Sequence, residues 1–398
     1  MRRRLQVTSA KALNLIKEFI QLESFGGILL LFTTILALIA ANIDGISGIY
    51  HDFWQSSFGV VFGEFRAALT MQGWVNDVLM AIFFLSIGLE IKKEMIIGNL
   101  ASVKKASFPI VAAFGGMIIP ICIYFSFNMG GEYVHGFGIP MATDIAFALG
   151  VLMLLGKRVP LELKIFLVTL AVADDLGAIV VIALFYSGNV IWSYILAAAG
   201  TMVVLFVLNR YGVKNIFVYV VVGIALWYFV HHSGIHATIS GVLLAFMIPL
   251  RVDNIASSPL IKMEHTLNPL SAYFIMPVFA FANAGVTIGG EFALNDITLG
   301  VMIGLIAGKP AGIFLFTFLS EKFGMAKKPD SLSWLHILGA GFLGGIGFTM
   351  SIFIATLTFD GALLEEAKLS IMISSLIAAI IGTLFFKFVL FKIKNRSA

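Results

Sequence analysis

The chain is a succession of apolar runs separated by short polar patches. The runs lie near 24–43, 72–91, 106–128, 136–156, 162–186, 190–208, 216–232, 234–250, 270–288, 297–319, 334–358 and 369–391. A helix needs about 20 apolar residues to cross a bilayer core. The pattern therefore predicts about 12 transmembrane helices in an all-α polytopic membrane protein. No long polar linker interrupts it, so residues 1–398 read as one integral membrane domain. Residues 1–23, which include KALNLIKEFIQL, read as an amphipathic segment lying on the cytoplasmic surface. The run that follows is longer than a signal-peptide core of about 7–15 residues, and is read as a retained first span. The external loop 44–71 is rich in β-branched and aromatic residues and permits a short β-hairpin.

Composition agrees with the pattern. The chain is 60% hydrophobic and 12% charged, against about 25% charged in soluble domains. A net charge of +4 alone would admit a nucleic-acid partner, but the basic residues sort by side. Lys92, Lys93, Lys104, Lys105, Lys157, Arg158, Lys164, Arg210, Lys214, Arg251, Lys262, Lys322, Lys327, Lys328, Lys392, Lys394 and Arg396 fall in the even-numbered loops and the C-terminus. The odd-numbered loops carry only Arg66 and Lys368, and hold Asp44, Asp52, Glu64, Glu132, Glu291, Asp296, Asp360, Glu365 and Glu366 instead. Basic loops stay in the cytoplasm, so both termini are expected there. The single cysteine, Cys122, excludes a disulfide framework and is expected to be a buried, inert thiol.

Five acids fall inside or at the edge of spans: Asp77, Glu90, Asp144, Asp174 and Asp175. Among the bases, Lys309 falls in mid-span. A charge at bilayer depth is costly, and such residues mark functional sites lining a polar cavity. Two spans are also interrupted. The fourth has Gly136, Gly138 and Pro140, and the eleventh has Gly339, Gly341, Gly344, Gly345 and Gly347. Each is the middle of a trio, spans 3–5 and 10–12, and the two trios run in opposite directions. They therefore read as inverted repeats with interrupted helices at matching positions, the arrangement that builds a transporter's binding site. Half-helix ends carry about half a unit charge, positive at N-termini and negative at C-termini. Asp144 suits the positive ends and Lys309 the negative ones.

Asp174 and Asp175 point about 100° apart on a helix, so they can line one cavity without facing each other. Adjacent carboxylates repel when both are charged, and a proton or a cation relieves that repulsion. Oxygen ligands suit hard cations such as Na+, and Thr143 with Asp144 can add oxygens if the break in span 4 lies beside span 5. The same oxygens then hold a proton or a cation, not both, which suffices for antiport under alternating access. Lys309 needs a carboxylate partner, and either Asp174 or Asp175 serves.

At these residues the chain resembles the NhaA family of sodium/proton antiporters. The matching stretches are FFLSIGLEIKKE, PMATDIAFALG, DDLGAI, SGIHATISG, FAFANAG, GKPAGI and GIGFTMSIFI, in family order over nearly the whole length. Met141, Ile235 and Ser240 depart mildly from the usual wording and leave every charged position intact. Paired interrupted helices are a known feature of that family, so their presence here is part of the resemblance. The resemblance implies two discontinuous helices crossing at mid-membrane, with Asp144 and Thr143 stabilising the crossing. It implies that Asp175 is the principal Na+ or Li+ ligand, with Asp174 beside it. It implies that Lys309 pairs with Asp174 in the ion-free state and takes part in proton transfer. Exchange of external H+ for cytoplasmic Na+ is expected to be electrogenic, with two protons per Na+, activated at alkaline pH, and to serve Na+ extrusion and pH homeostasis. Glu90, Glu94, Glu264 and His236 are the implied pH-response residues. The loop at 44–71 is implied to join two protomers into a homodimer in a bacterial inner membrane.

Rival readings fit less well. A sodium-coupled solute symporter would need a solute cavity, where Lys309 beside the acids is a poor feature. An intramembrane aspartyl protease needs acids facing across a peptide bond, which adjacent residues on one helix do not provide. A channel would need a repeated selectivity filter. No phosphate loop, zinc-ligand cluster or nucleophile triad is present, so no enzyme activity, cofactor, nucleotide or nucleic-acid partner is expected. The glycines at 339–347 lack the preceding strand that a nucleotide fingerprint requires. The expected partners are Na+, Li+, H+ and the lipid bilayer.

Overall fold

The computed structural model describes residues 25–62, 65–131, 133–156, 159–251, 255, 257–288 and 294–396. The amphipathic segment expected at 1–23 lies outside the described residues. Helix α1 spans Phe25–Asn42 and α2 spans Ser47–Gln55. Strands β1 (Ser57–Phe62) and β2 (Phe65–Thr70) then pair antiparallel as a hairpin, with Ser57 opposite Thr70. The long helices α3 (Met71–Ile96) and α4 (Val103–Asn128) follow.

The fourth apolar run is discontinuous. A 3-10 segment, Val134–Met141, gives way to extended backbone at 142–144 before α5, Ile145–Leu154. Pro140 cannot donate to a helical ladder, and Asp144 restarts the helix by accepting from Phe147 N at 2.9 Å. Next come α6 (Leu161–Phe185), α7 (Trp192–Arg210), α8 (Ile216–His232) and α9 (Ile239–Met247). Helix α10 (Pro259–Leu270) runs through a π-helical turn, Ser271–Ile275, into α11 (Met276–Asn283). Helix α12 covers Asp296–Lys322. Helices α13 (Trp334–Gly344) and α14 (Phe348–Thr358) are bent by 44° at the glycine break, and α15 spans Gly361–Arg396.

Among the described residues eight helices are long and apolar enough to cross a membrane, or nine if the α13–α14 pair is one broken span. The expected span at 216–232 is helical throughout, though only 17 residues long, while those at 234–250 and 270–288 are helical over shorter stretches. A turn at Gly234, with φ at 86°, delays α9 until Ile239. The architecture is an all-α polytopic membrane protein.

Glycines let the helices that carry the site approach closely. Gly115 on α4 faces Gly312 on α12, and a Cβ on either would collide with the other's carbonyl oxygen. That contact seats the helix bearing Lys309 against the bundle. Cys122 corrects the sequence reading: it is exposed. Phe114 and Ile118 are exposed at 52% and 41%, and with Cys122 they recur every fourth residue as one outward stripe of α4. An apolar run has no polar face to mark which side meets lipid, so periodicity could not place the thiol inside or outside.

Candidate ion site at the crossing of two broken helices

The two interruptions meet. Asp144 N donates to Ile346 O at 2.7 Å, and Ser351 Oγ donates to Ile139 O at 2.7 Å. The segments therefore pass antiparallel, each filling backbone groups that the other's break leaves open. Protein groups thus satisfy unwound backbone at each break, as a membrane interior requires.

Asp144 sits between two helix N-termini. Its Oδ1 accepts from Phe147 N in α5 at 2.9 Å, and its Oδ2 accepts from Thr349 N in α14 at 3.1 Å and from the Thr349 hydroxyl. One carboxylate thus faces two partial positive charges of about half a unit each. The opposite ends meet the other charge. Lys309 Nζ donates to the carbonyl of Met141, the last residue of the 3-10 segment, and to Asp174 Oδ2 at 2.6 Å. Thr143 Oγ1 lies 2.7 Å from Asp174 Oδ2 and 2.9 Å from Gly344 O at the end of α13. Its single proton is donated to one of these two acceptors at a time.

The adjacent acids have separate surroundings. Asp174, 2% exposed, is held by Lys309 and Thr143, and its Oδ1 has no hydrogen-bond partner among the described residues. Asp175 lines a cavity of about 40 Å³ with Thr143, Asp144, Ser86, Glu90 and Asn268. That volume admits a few waters or an ion. Organic ligands occupy pockets from about 300 Å³ upward. The turn of α6 brings one carboxylate to the lysine and the other to the cavity.

Of the residues singled out for a pH response, Glu90 lines the cavity itself. Glu264 on α10 forms an ion pair with Lys93, one turn from Glu90. Glu94 turns back to accept from Asn99 N at 2.7 Å. His236 lies apart from these three, with Nδ1 2.8 Å from Thr238 Oγ1 and Nε2 3.9 Å from Asp77 Oδ1. Its neighbour across Asp77 is His231, Nδ1 to Oδ2 at 3.9 Å.

Several site features were missed in the sequence. Thr349 completes the Asp144 cage, and Ser86 binds Asn268 at 2.7 Å. Three π-helical turns were missed too: Trp74–Leu79, Ser271–Ile275 and Gly304–Gly308. The first contains Asp77, the second contains cavity residues Ser271 and Ala272, and the third directly precedes Lys309. Such turns widen a helix locally and gather at functional sites. The signal for the side chains was available, as polar residues inside apolar runs. The turns leave no sequence mark.

Comparison with known proteins supplies the family. Residues 17–386 match the Na+/H+ antiporter 1 family. The chain is 50% identical to "Na(+)/H(+) antiporter NhaA" of Helicobacter acinonychis (strain Sheeba), covering 93% of this chain and 94% of the relative. It is 49% identical to the protein of that name from Helicobacter pylori (strain ATCC 700392 / 26695), with 96% of each covered. It is 51% identical to "Na(+)/H(+) antiporter NhaA 2" of Aliarcobacter butzleri (strain RM4018), covering 94% and 96%. The chain belongs to the NhaA family of Na+/H+ antiporters, which are transporters and not enzymes.

Proposed function

We propose that this chain exchanges cytoplasmic Na+, or Li+, for external H+ at the carboxylates of Asp175 and Asp174. The observation that carries the reading is their division of surroundings: Asp175 opens on the cavity while Asp174 is tied to Lys309 at 2.6 Å. In the ion-free form the lysine balances Asp174 and a proton satisfies Asp175. An arriving Na+ takes oxygens from Asp175, Asp174 and the Thr143 hydroxyl, and Lys309 loses its partner. Proton binding reverses the sequence. Two assignments fit the second proton: Lys309, if Asp174 stays ionised beside it, or Asp174, if that carboxyl is itself protonated before Na+ arrives. Substitution of Lys309 by a permanently neutral residue separates them by its effect on stoichiometry.

Two protons per Na+ would move one net charge inward. The membrane potential then contributes about 2.3 kcal/mol per 100 mV toward Na+ extrusion. Asp144, held by three hydrogen bonds, keeps the half-helix ends together through the cycle. Glu90, Glu94, Glu264 and, from the other end, His236 set the response to alkaline pH. The lysine-rich end faces the cytoplasm of a bacterial inner membrane, with both termini there. The hairpin joins two protomers, a role supported by its unpaired strand edges and by Phe58, 67% exposed.

The test is collapse of a pH gradient in everted vesicles on addition of Na+ or Li+. The parent is expected to respond more strongly as pH rises, and Asp175→Asn not at all. A parent that ignores both ions, or an Asp175→Asn chain that matches it, refutes the proposal.

A further inference from the structure

An exchanger needs a second approach to its carboxylates, from the end opposite Glu90. Helices α3, α11 and α14 carry residues in the same order toward that end. On α3 the cavity residues Ser86 and Phe83 lie on either side of Phe84 in sequence, and Asp77 and Asn76 lie further on. On α11 the cavity residue Met276 is followed by Phe279 one turn on, and by Asn283 one turn further. On α14 Met350 is followed by Phe353. The Phe353 ring centre lies 5.4 Å from those of Phe84 and His236, and 6.2 Å from that of Phe279.

Past these rings the side chains turn polar. Asn283, 1% exposed, donates to Asn76 Oδ1 at 2.9 Å and to Phe279 O at 3.1 Å. It accepts from Gln72 Nε2 at 3.1 Å and Asn76 Nδ2 at 3.4 Å. These use both of its N–H groups and both acceptor positions. Gln72 in turn lines a cavity of about 230 Å³ with Tyr50, Trp54, Glu365 and Lys368. The Tyr50 hydroxyl, pushed up by burial and then by Glu365, keeps its proton and donates to Phe281 O at 2.5 Å.

We propose that Asn283, with Gln72 and Asn76, is the latch of the closed outer gate, and that the Gln72 cavity is the outer mouth of the exchange route. The inference rests on the exchange reading above. Amide–amide hydrogen bonds trade for amide–water ones at little net cost, so such a latch opens and recloses readily. Asn283 is a positioning residue here: it joins α11 to α3 across the route and does not touch the carboxylates.

The test follows sidedness of access to the central cavity. The labelling chain carries Cys122→Ser and Ser86→Cys, and Na+/H+ exchange is measured first in the unaltered chain. Failure there strikes the exchange reading and not the latch. A membrane-impermeant cationic thiol reagent is then applied outside right-side-out vesicles. Adding Asn283→Ala is expected to speed external modification at least about fivefold, the order expected for lost buried hydrogen bonds. Gln72→Ala and Asn76→Ala, which each remove part of the network, are expected to speed it less. Modification from the inner face, in everted vesicles, should slow in parallel. External modification at the parent rate in Gln72→Ala and Asn76→Ala, with exchange retained, overturns the latch even if Asn283→Ala does not fold.

Discussion

Removing the charge of Asp174 while keeping its shape tests the lysine pairing most cleanly. Asp174→Asn keeps an oxygen that can accept from Thr143 and removes the charge opposite Lys309, 1% exposed. At 2.6 Å the lost attraction is about 6 kcal/mol for an effective dielectric constant near 20. Part of that is returned because the carboxylate no longer has to be stripped of water. Breaking a buried pair from one side costs about 3–5 kcal/mol. Replacing both partners, as in Asp174→Asn with Lys309→Met, leaves no uncompensated charge and should recover most of the loss. If each single variant loses about 3–5 kcal/mol and the double variant stays near the parent, the coupling between the two sites is at least about 5 kcal/mol, above the roughly 0.5–3 kcal/mol usual for contacting residues. Thermal unfolding in detergent, followed by the fluorescence of the five tryptophans, reads all four chains. A large single-variant loss and a near-parental double variant are expected. Single losses below about 1 kcal/mol that simply add would show that the pair is not the anchor described here.

Other substitutions probe the crossing and its packing. Asp144→Ala removes three hydrogen bonds to a carboxylate and leaves two helix N-termini face to face; a loss of about 4 kcal/mol and of exchange is expected, measured by unfolding and vesicle assay. Thr349→Val keeps the backbone donor and should cost less, about 1.5–3 kcal/mol in the same measurements. Gly312→Val drives a side chain into the Gly115 carbonyl and should cost about 2–3 kcal/mol while weakening exchange, because α12 is pushed away with Lys309. Deleting 57–70 should leave exchange in vesicles intact while shifting the detergent-solubilised chain to a monomer by light scattering.

The sequence made the ingredients of the site readable, because charges and glycines inside apolar runs have few other reasons to exist. Pro140 and the glycines of 339–347 located both breaks, and Asp144 beside one of them identified the group for the helix ends. Which carboxylate of Asp174 and Asp175 meets Lys309 was open from the residues themselves, since a rotation of α6 exchanges their roles and only the packed neighbours fix it. The family resemblance supplied Asp174, and the lysine is found there. Asn283, Gln72 and Asn76 went unnoticed because each is an ordinary polar residue near a helix end until folding brings three segments together. Cys122 was misplaced because an apolar stripe against lipid and one against protein have the same composition.

The central claim is that Na+ and H+ occupy the same oxygens, and proton release on Na+ binding tests it most directly. Purified chain in weakly buffered detergent should acidify the medium as Na+ is added, saturating together with binding, and Asp175→Asn should do neither. Binding of Na+ without proton release, at an affinity unchanged by acidification, would contradict the account.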